Sequence, residues 1–320
     1  MSVGQVLRRS LLGSSSWNIA AFGNERGAPG VKTFLPCPLR NYATQKIPEP
    51  EPKVGDDVTV ELLTEARQGI GILSLNRPSA RNALSKNLVH LFTQFIEAQA
   101  KNADLRVLVI RSTVAGVFCA GADLKERAKM TDAEVDPFVA TLRRMTADLV
   151  KFPVPTIAAL DGAALGGGLE MALACDIRIA SSSAKMGLVE TTLGIIPGAG
   201  GTQYLPRLIG VSNAKELIFT GTAFDGHQAK DLGVVNEVVE QNANGDAAFQ
   251  RSLALADRIN SNGPVAVRMA KMAINHGIER SLEEGLLMEQ KFYAQITPTQ
   301  DRREGLLAFK EKRKPKFIGK

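Results

Sequence analysis

The sequence predicts an α/β fold, mostly parallel, with helices on both faces of its sheet. Short continuous apolar runs such as Val107-Leu108-Val109-Ile110 have the composition of strands buried on both faces. Other segments carry apolar residues at helical spacing, and Leu88, Leu91, Phe92, Phe95 and Ile96 are the clearest set. The two kinds of segment alternate along most of the chain, the order that builds a parallel sheet with crossover helices.

Taken in order, Val58–Leu63 and Gly69–Leu75 read as two strands joined by a turn, and Asn76-Arg77-Pro78 ends the second. A helix is predicted from near Ser85 to about Ala100. Arg106–Arg111 is a strand, Ala133–Phe152 a helix, and Thr156–Leu160 a buried strand that delivers the chain to the Gly166–Gly168 turn. Leu169–Cys175 is a short helix, Asp176–Ala180 a strand and Thr202–Ile209 a further helix. From about Phe249 only helices are predicted: one begins at Gly263-Pro264 with proline in its first turn, followed by Ser281–Ala294 and Arg302–Lys310.

Composition sets the outer limits. Of 320 residues, 44% are apolar and 22% charged, ordinary for a soluble globular protein. No window reaches the roughly 18 uninterrupted apolar residues of a membrane span. Residues 1–42 stand apart, with Arg8, Arg9, Arg26, Lys32 and Arg40 against Glu25 alone and a Ser14-Ser15-Ser16 patch. That composition is the pattern of a mitochondrial transit peptide, ending near Arg40-Asn41-Tyr42, and predicts the mitochondrial matrix as the destination; a disordered terminus is the alternative. Residues 43–57, with Pro48, Pro50 and Pro52, read as an extended linker, 58–248 as the α/β core and 249–320 as a helical C-terminal region. Without residues 1–42 the net charge falls from +6 to +2, so the basic balance is poor evidence for nucleic-acid binding. Cys37, Cys119 and Cys175 cannot form a disulfide framework, and His90, His227 and His276 lie too far apart to suggest a metal site.

Three segments carry chemistry. Ala164-Leu165-Gly166-Gly167-Gly168-Leu169-Glu170 places glycines before a helix, where N–H groups open to a ligand suit developing negative charge; a tight turn without a ligand is the alternative. Glu170 is followed by the apolar Met171-Ala172-Leu173-Ala174-Cys175, so it is predicted to be buried, and a buried carboxylate needs a partner or a task. Glu190, in Met186-Gly187-Leu188-Val189-Glu190, would read as a surface residue on its own. Its weight comes from Glu170 and from the glycine turn Pro197-Gly198-Ala199-Gly200-Gly201-Thr202. Phe118–Lys125 ends a predicted strand; its Ala120-Gly121-Ala122-Asp123 stretch can supply a second N–H donor, while Asp123 alone reads as a helix cap. Two carboxylates beside exposed N–H groups point to proton chemistry next to a stabilised oxyanion.

Phe118–Lys125, Ala164–Glu170 and Gly187–Thr202 closely resemble the crotonase (enoyl-CoA hydratase/isomerase) superfamily, and the resemblance runs from about Val58 to the C-terminus. Leu124–Met130, Ala214–Phe219 and Leu307–Arg313 look most like the branch that hydrates 3-methylglutaconyl-CoA in leucine degradation, which includes an AU-rich-RNA-binding homologue. The resemblance implies a spiral of ββα units with a helical trimerisation region, assembled as a homotrimer or dimer of trimers. It implies an oxyanion hole of the Ala122 and Gly167 N–H groups for the thioester carbonyl. It also implies that Glu170 activates the water that adds at Cβ and that Glu190 protonates Cα. Ala122, Asp123, Leu124, Lys125 and Gly167 match the segments that contact substrate and CoA, and the basic tail, Lys310 and Lys312 included, resembles one that holds CoA across a subunit boundary. No cofactor is implied beyond the coenzyme A of the substrate itself.

Two alternatives accompany this reading. One is a general short-chain enoyl-CoA hydratase/isomerase of fatty-acid oxidation. The other is RNA binding, which in the homologue uses a row of lysines along the helix after the Leu-Ser-Lys-Asn turn. Here Leu84-Ser85-Lys86-Asn87 is followed by His90, Gln94 and Gln99 and reaches Lys101 only at the helix end, so most of that row is missing.

Overall fold

A computed structural model describes residues 57–320. The predicted leader and all of the predicted linker except Asp57 lie outside the described residues. β1 (Val58–Leu62) and β2 (Ile70–Leu75) pair antiparallel and lead into α1 (Lys86–Gln99). Units of two strands followed by helix then repeat. The first is β3 (Val107–Ser112) and β4 (Val117–Cys119) with α2 (Leu124–Arg127) and α3 (Asp132–Val150). The second is β5 (Thr156–Leu160) and β6 (Ala163–Leu165) with α4 (Gly167–Leu173). The third is β7 (Ile177–Ser181) and β8 (Met186–Gly187) with α5 (Gly201–Ile209), α6 (Val211–Thr220) and α7 (Gly226–Leu232). β9 (Glu237–Val239) precedes α8 (Ala247–Asn260), α9 (Pro264–Gly277), α10 (Leu282–Ala294) and α11 (Gln300–Lys310). This is the α/β architecture of repeated ββα units that the resemblance implied.

The first strand of each unit enters a six-stranded sheet ordered β1-β2-β3-β5-β7-β9, parallel apart from β1. The second strand enters a separate parallel sheet, β4-β6-β8. Side chains alternate across the large sheet and divide between two cores. Leu73, Leu75, Leu108, Ile110 and Leu160 share one core with apolar residues of α1, α3 and α4. Ile70, Ile72, Val107, Val109 and Ile157 share the other with Ala248, Phe249, Leu253 and Ala256 of α8. Burial on both faces is why Val107–Ile110 of β3 and Ile157–Leu160 of β5 are apolar without interruption.

α1 starts where the hydroxyl of Ser85 accepts the Leu88 N–H (3.1 Å). Its inward face is Leu88, Val89, Phe92 and Ile96; the predicted Leu91 and Phe95 are only partly buried, because Val89, one turn before Phe92, takes the inner position. The change to an all-helical chain expected at 249 comes at Ala247. α8 still belongs to the core, covering one face of the large sheet, and the helices that follow it begin at Pro264. No described helix is long and apolar enough to cross a membrane.

Candidate active site

The small sheet brings the three motifs together. Cys119 of β4 pairs with Ala164 of β6, and Ala164 and Leu165 pair with Met186 and Gly187 of β8. All three strands run the same way, so the segments leaving their C-terminal ends emerge side by side. Those segments are Ala120–Asp123, Gly166–Glu170 and Leu188–Glu190.

Glycine makes the closest approach possible. α4 begins at Gly167, two residues before the predicted Leu169, with Gly166 before it at φ +50°. A Cβ on Gly168 would fall 2.3 Å from the carbonyl oxygen of Cys119, so the first turn of α4 is pressed onto β4. The neighbouring loop is fixed by Leu84, whose N–H donates to Gly121 O (2.8 Å) and whose carbonyl accepts from Asp123 N (3.2 Å). Ala122 lies between these bonds, and its N–H has no acceptor among the described residues; nor has that of Gly167, at the first position of α4. A Cβ built on Gly167 would stand 3.8 Å from Ala122 N, so the two free donors are neighbours at the head of one cleft.

Glu170 is buried on α4, and its Oε1 accepts the N–H groups of Ala199 (2.8 Å) and Gly201 (2.7 Å). Burial pushes its carboxyl above the ordinary range, and those two N–H groups, with the charge of Arg143, oppose the shift. The receiving loop is anchored from α3, where the buried Thr146 hydroxyl donates to Ala199 O (2.6 Å). Sequence reasoning singled out the Pro197–Thr202 turn but not this use of it. It missed Thr146 altogether, because a threonine inside an amphipathic helix carries no local signal of a bond made 53 residues away.

Glu190 opens a turn of 3₁₀ helix after β8 and is also buried. Its Oε2 has no hydrogen-bond partner among the described residues. Burial, then the nearby Glu170, push its carboxyl up to about 7, so near neutral pH it holds a proton much of the time. A Cβ on Gly166 would stand 3.0 Å from Glu190 Oε1, and one on Gly201 would stand 3.0 Å from Glu170 Oε1. Both carboxylates therefore look across bare glycine backbone.

The other expected site residues separate. Leu124 is exposed and lines the cleft. Asp123 is buried beside it and committed elsewhere: it caps α2 by accepting Lys125 N and Glu126 N and pairs with Arg77 at 2.8 Å. Burial raises its carboxyl, but Arg77 and those N–H groups outweigh that and hold it below the ordinary value. Lys125, Lys310 and Lys312 are exposed and line no part of the cleft within this chain. The single lysine of α1, Lys86, pairs with Glu134 at 3.5 Å.

The cleft has a volume of about 1610 Å³. Its walls beyond the carboxylates are largely apolar and include Val139 and Leu142 of α3 with Leu193 and Ile196. Such a space accepts an apolar chain, while two N–H groups, an anchored carboxylate and an unpartnered one meet at its head. Among the described residues no cluster of His, Cys, Asp or Glu could hold a metal ion.

Comparison with known proteins identifies the family. Residues 65–320 match the family described as enoyl-CoA hydratase/isomerase. The chain is 54% identical over 284 residues to human mitochondrial methylglutaconyl-CoA hydratase, covering 89% of this chain and 82% of that protein. It is 53% identical over 294 residues to mouse mitochondrial enoyl-CoA hydratase domain-containing protein 2, covering 89% and 97%. The crystal structure of an enoyl-CoA hydratase from Bacillus anthracis superposes with a TM-score of 0.79 at 45% identity, covering 83% of this chain and all of that one. The chain is an enzyme of hydro-lyase type and belongs to the enoyl-CoA hydratase/isomerase family.

Proposed function

We propose that the chain adds water across the Cα=Cβ bond of an enoyl-CoA, with 3-methylglutaconyl-CoA of leucine degradation as its substrate. The observation that carries the chemistry is the contrast between the two carboxylates: Glu170 is held by two N–H groups, and Glu190 is unpartnered with its carboxyl at about 7. In this reading the thioester carbonyl sits between Ala122 N–H and Gly167 N–H, which stabilise the enolate oxygen as negative charge develops. Glu170 takes a proton from water as its oxygen bonds to Cβ, and the π electrons move toward the carbonyl. Glu190 then delivers its proton to Cα, and transfer between the two carboxyls through solvent resets the pair.

The human relative's name supports the methylglutaconyl substrate. Lys125 on this chain, and Lys310 and Lys312 from a neighbouring copy, are proposed to meet the CoA phosphates. Exposed Leu282, Leu286, Tyr293 and Phe309 on the last helices support assembly as a trimer or a dimer of trimers. The composition of residues 1–42 and the mitochondrial relatives support the matrix as the site of action. RNA binding gains no support, since Lys86, the one lysine on α1, is ion-paired.

The test is hydration of 3-methylglutaconyl-CoA against crotonyl-CoA by the purified protein. A strong preference for the former is expected. Preference for crotonyl-CoA would indicate a general short-chain hydratase instead, and turnover of neither would refute the hydratase reading.

A further inference from the structure

Five cationic side chains line the cleft: Arg127, Arg143, Arg178, Arg207 and Lys271. Three are committed. Arg178 is buried and donates to Val234 O (2.8 Å) and Cys175 O (2.6 Å). Lys271 pairs with Asp176 at 2.7 Å and donates to Val154 O (3.0 Å). Arg207 pairs with Glu279 at 2.9 Å and donates to Gln203 O (2.9 Å). Two retain donors for a ligand. The Arg127 side chain has no hydrogen-bond or ion-pair partner among the described residues. Arg143 spends only Nε, on Gly198 O (3.2 Å), leaving both terminal nitrogens of its guanidinium without a partner.

The two come from different walls of the cleft, Arg127 from α2 and Arg143 from α3. Arg127 closes α2, whose N-cap Asp123 follows Ala122, so it lies on the segment proposed above to meet the CoA arm. Arg143 bonds the residue next to Ala199, the donor that anchors Glu170. It therefore stands past the carboxylate proposed to serve Cβ, where the far end of an acyl chain arrives. α3 is tight against this loop, for a Cβ on Gly198 would fall 2.8 Å from Cγ1 of Val139, one turn before Arg143. The single Nε bond orients the guanidinium, and its free edge matches the two oxygens of a carboxylate. An anion brought beside Glu170 and Glu190 would meet like charge, and Arg143, exposed at the cleft wall, offers donors to offset it.

We propose that Arg143 is the specificity residue of the cleft, binding a carboxylate at the distal end of the acyl group, so that the enzyme selects dicarboxylic over monocarboxylic acyl-CoA substrates. This rests on the placement of the thioester proposed above, and it names the contact that a substrate such as 3-methylglutaconyl-CoA requires.

The test is calorimetric binding of two unreactive saturated thioesters of equal chain length, glutaryl-CoA and pentanoyl-CoA, to wild type, R143Q, R143K and R127Q, with crotonyl-CoA hydration measured on the same preparations. The wild type is expected to bind glutaryl-CoA about tenfold more tightly than pentanoyl-CoA. R143Q should bring that ratio to within about twofold, R143K should retain part of it, and R127Q should leave it intact. A wild type without preference, or a folded R143Q that keeps the ratio, would overturn the proposal. A protein that shows the ratio but hydrates no enoyl-CoA keeps the subsite and refutes the hydratase reading. One that hydrates crotonyl-CoA without the ratio does the reverse.

Discussion

Glu170 and Glu190 share one cleft in opposite states: Oε1 of Glu170 accepts two backbone N–H groups, and Oε2 of Glu190 accepts none among the described residues. Burial raises both carboxyls above the ordinary range, and the charge of Glu170 adds to the shift at the partnerless Glu190, which reaches about 7. The asymmetry assigns the base and acid roles proposed here.

Glu170→Gln should separate folding from chemistry. The amide oxygen of glutamine can still accept from Ala199 and Gly201, so thermal stability should change by less than about 1 kcal/mol. The amide cannot take a proton from water, and kcat should fall on the order of 10²–10⁴-fold. Calorimetry and steady-state hydration rates check the two halves separately.

Glu190 makes both rate and stability depend on pH. Turnover that needs its proton should decline as pH rises through about 7. The raised carboxyl also means that between its ordinary 4.5 and about 7 the folded chain binds a proton the unfolded chain has lost. Stability must then fall as pH rises through that window. Glu190→Gln removes the titration and should stabilise the protein at pH 8 by about 1–3 kcal/mol while abolishing most turnover. Urea denaturation of both proteins at pH 5 and pH 8 measures the difference; equal gaps at the two pH values would contradict it.

Thr146→Val keeps the volume of the side chain and removes the hydroxyl that donates to Ala199 O. An unpartnered buried carbonyl should cost about 1–3 kcal/mol. Because the same loop positions Glu170, kcat should drop with little change in KM. A variant with a lower melting temperature but unchanged kcat would show that the loop holds its place without this bond.

Gly168→Ala places a methyl 2.3 Å from the carbonyl oxygen of Cys119, backbone that cannot rotate away. α4 would have to move off β4, and the expected loss is about 3 kcal/mol or more, with activity lost alongside. Gly194→Ala is the comparison, since nothing lies within 4 Å of its Cβ position; its own cost comes only from a φ of +71°.

The large sheet was legible because its central strands are buried on both faces, so that β3 and β5 carry unbroken apolar runs at Val107–Ile110 and Ile157–Leu160. The small sheet was not: β6 has three residues and β8 two, too few for a period to register. Glu170 and Glu190 were legible through their glycine neighbours, whose bare backbone is a local property of the chain. Their anchoring was not, since the Ala199, Gly201 and Thr146 contacts join segments that meet only once the small sheet has formed. Arg143 sits in an amphipathic helix beside Arg144, and nothing in the sequence distinguishes the one that turns to the cleft from the one that pairs with Glu97. The basic tail was legible as charge alone: Arg313 folds back onto Glu304 and Glu311, leaving Lys310 and Lys312 exposed.

The most direct measurement follows oxygen. Crotonyl-CoA incubated in ¹⁸O-labelled water with wild type, Glu170→Gln and Glu190→Gln, and sampled by mass spectrometry, reports both the bond formed and its rate. One labelled oxygen at Cβ is expected in the wild-type product, with a rate at least on the order of 10²-fold lower in each variant. A wild-type product without label, or a variant as fast as wild type, would contradict the proposed mechanism.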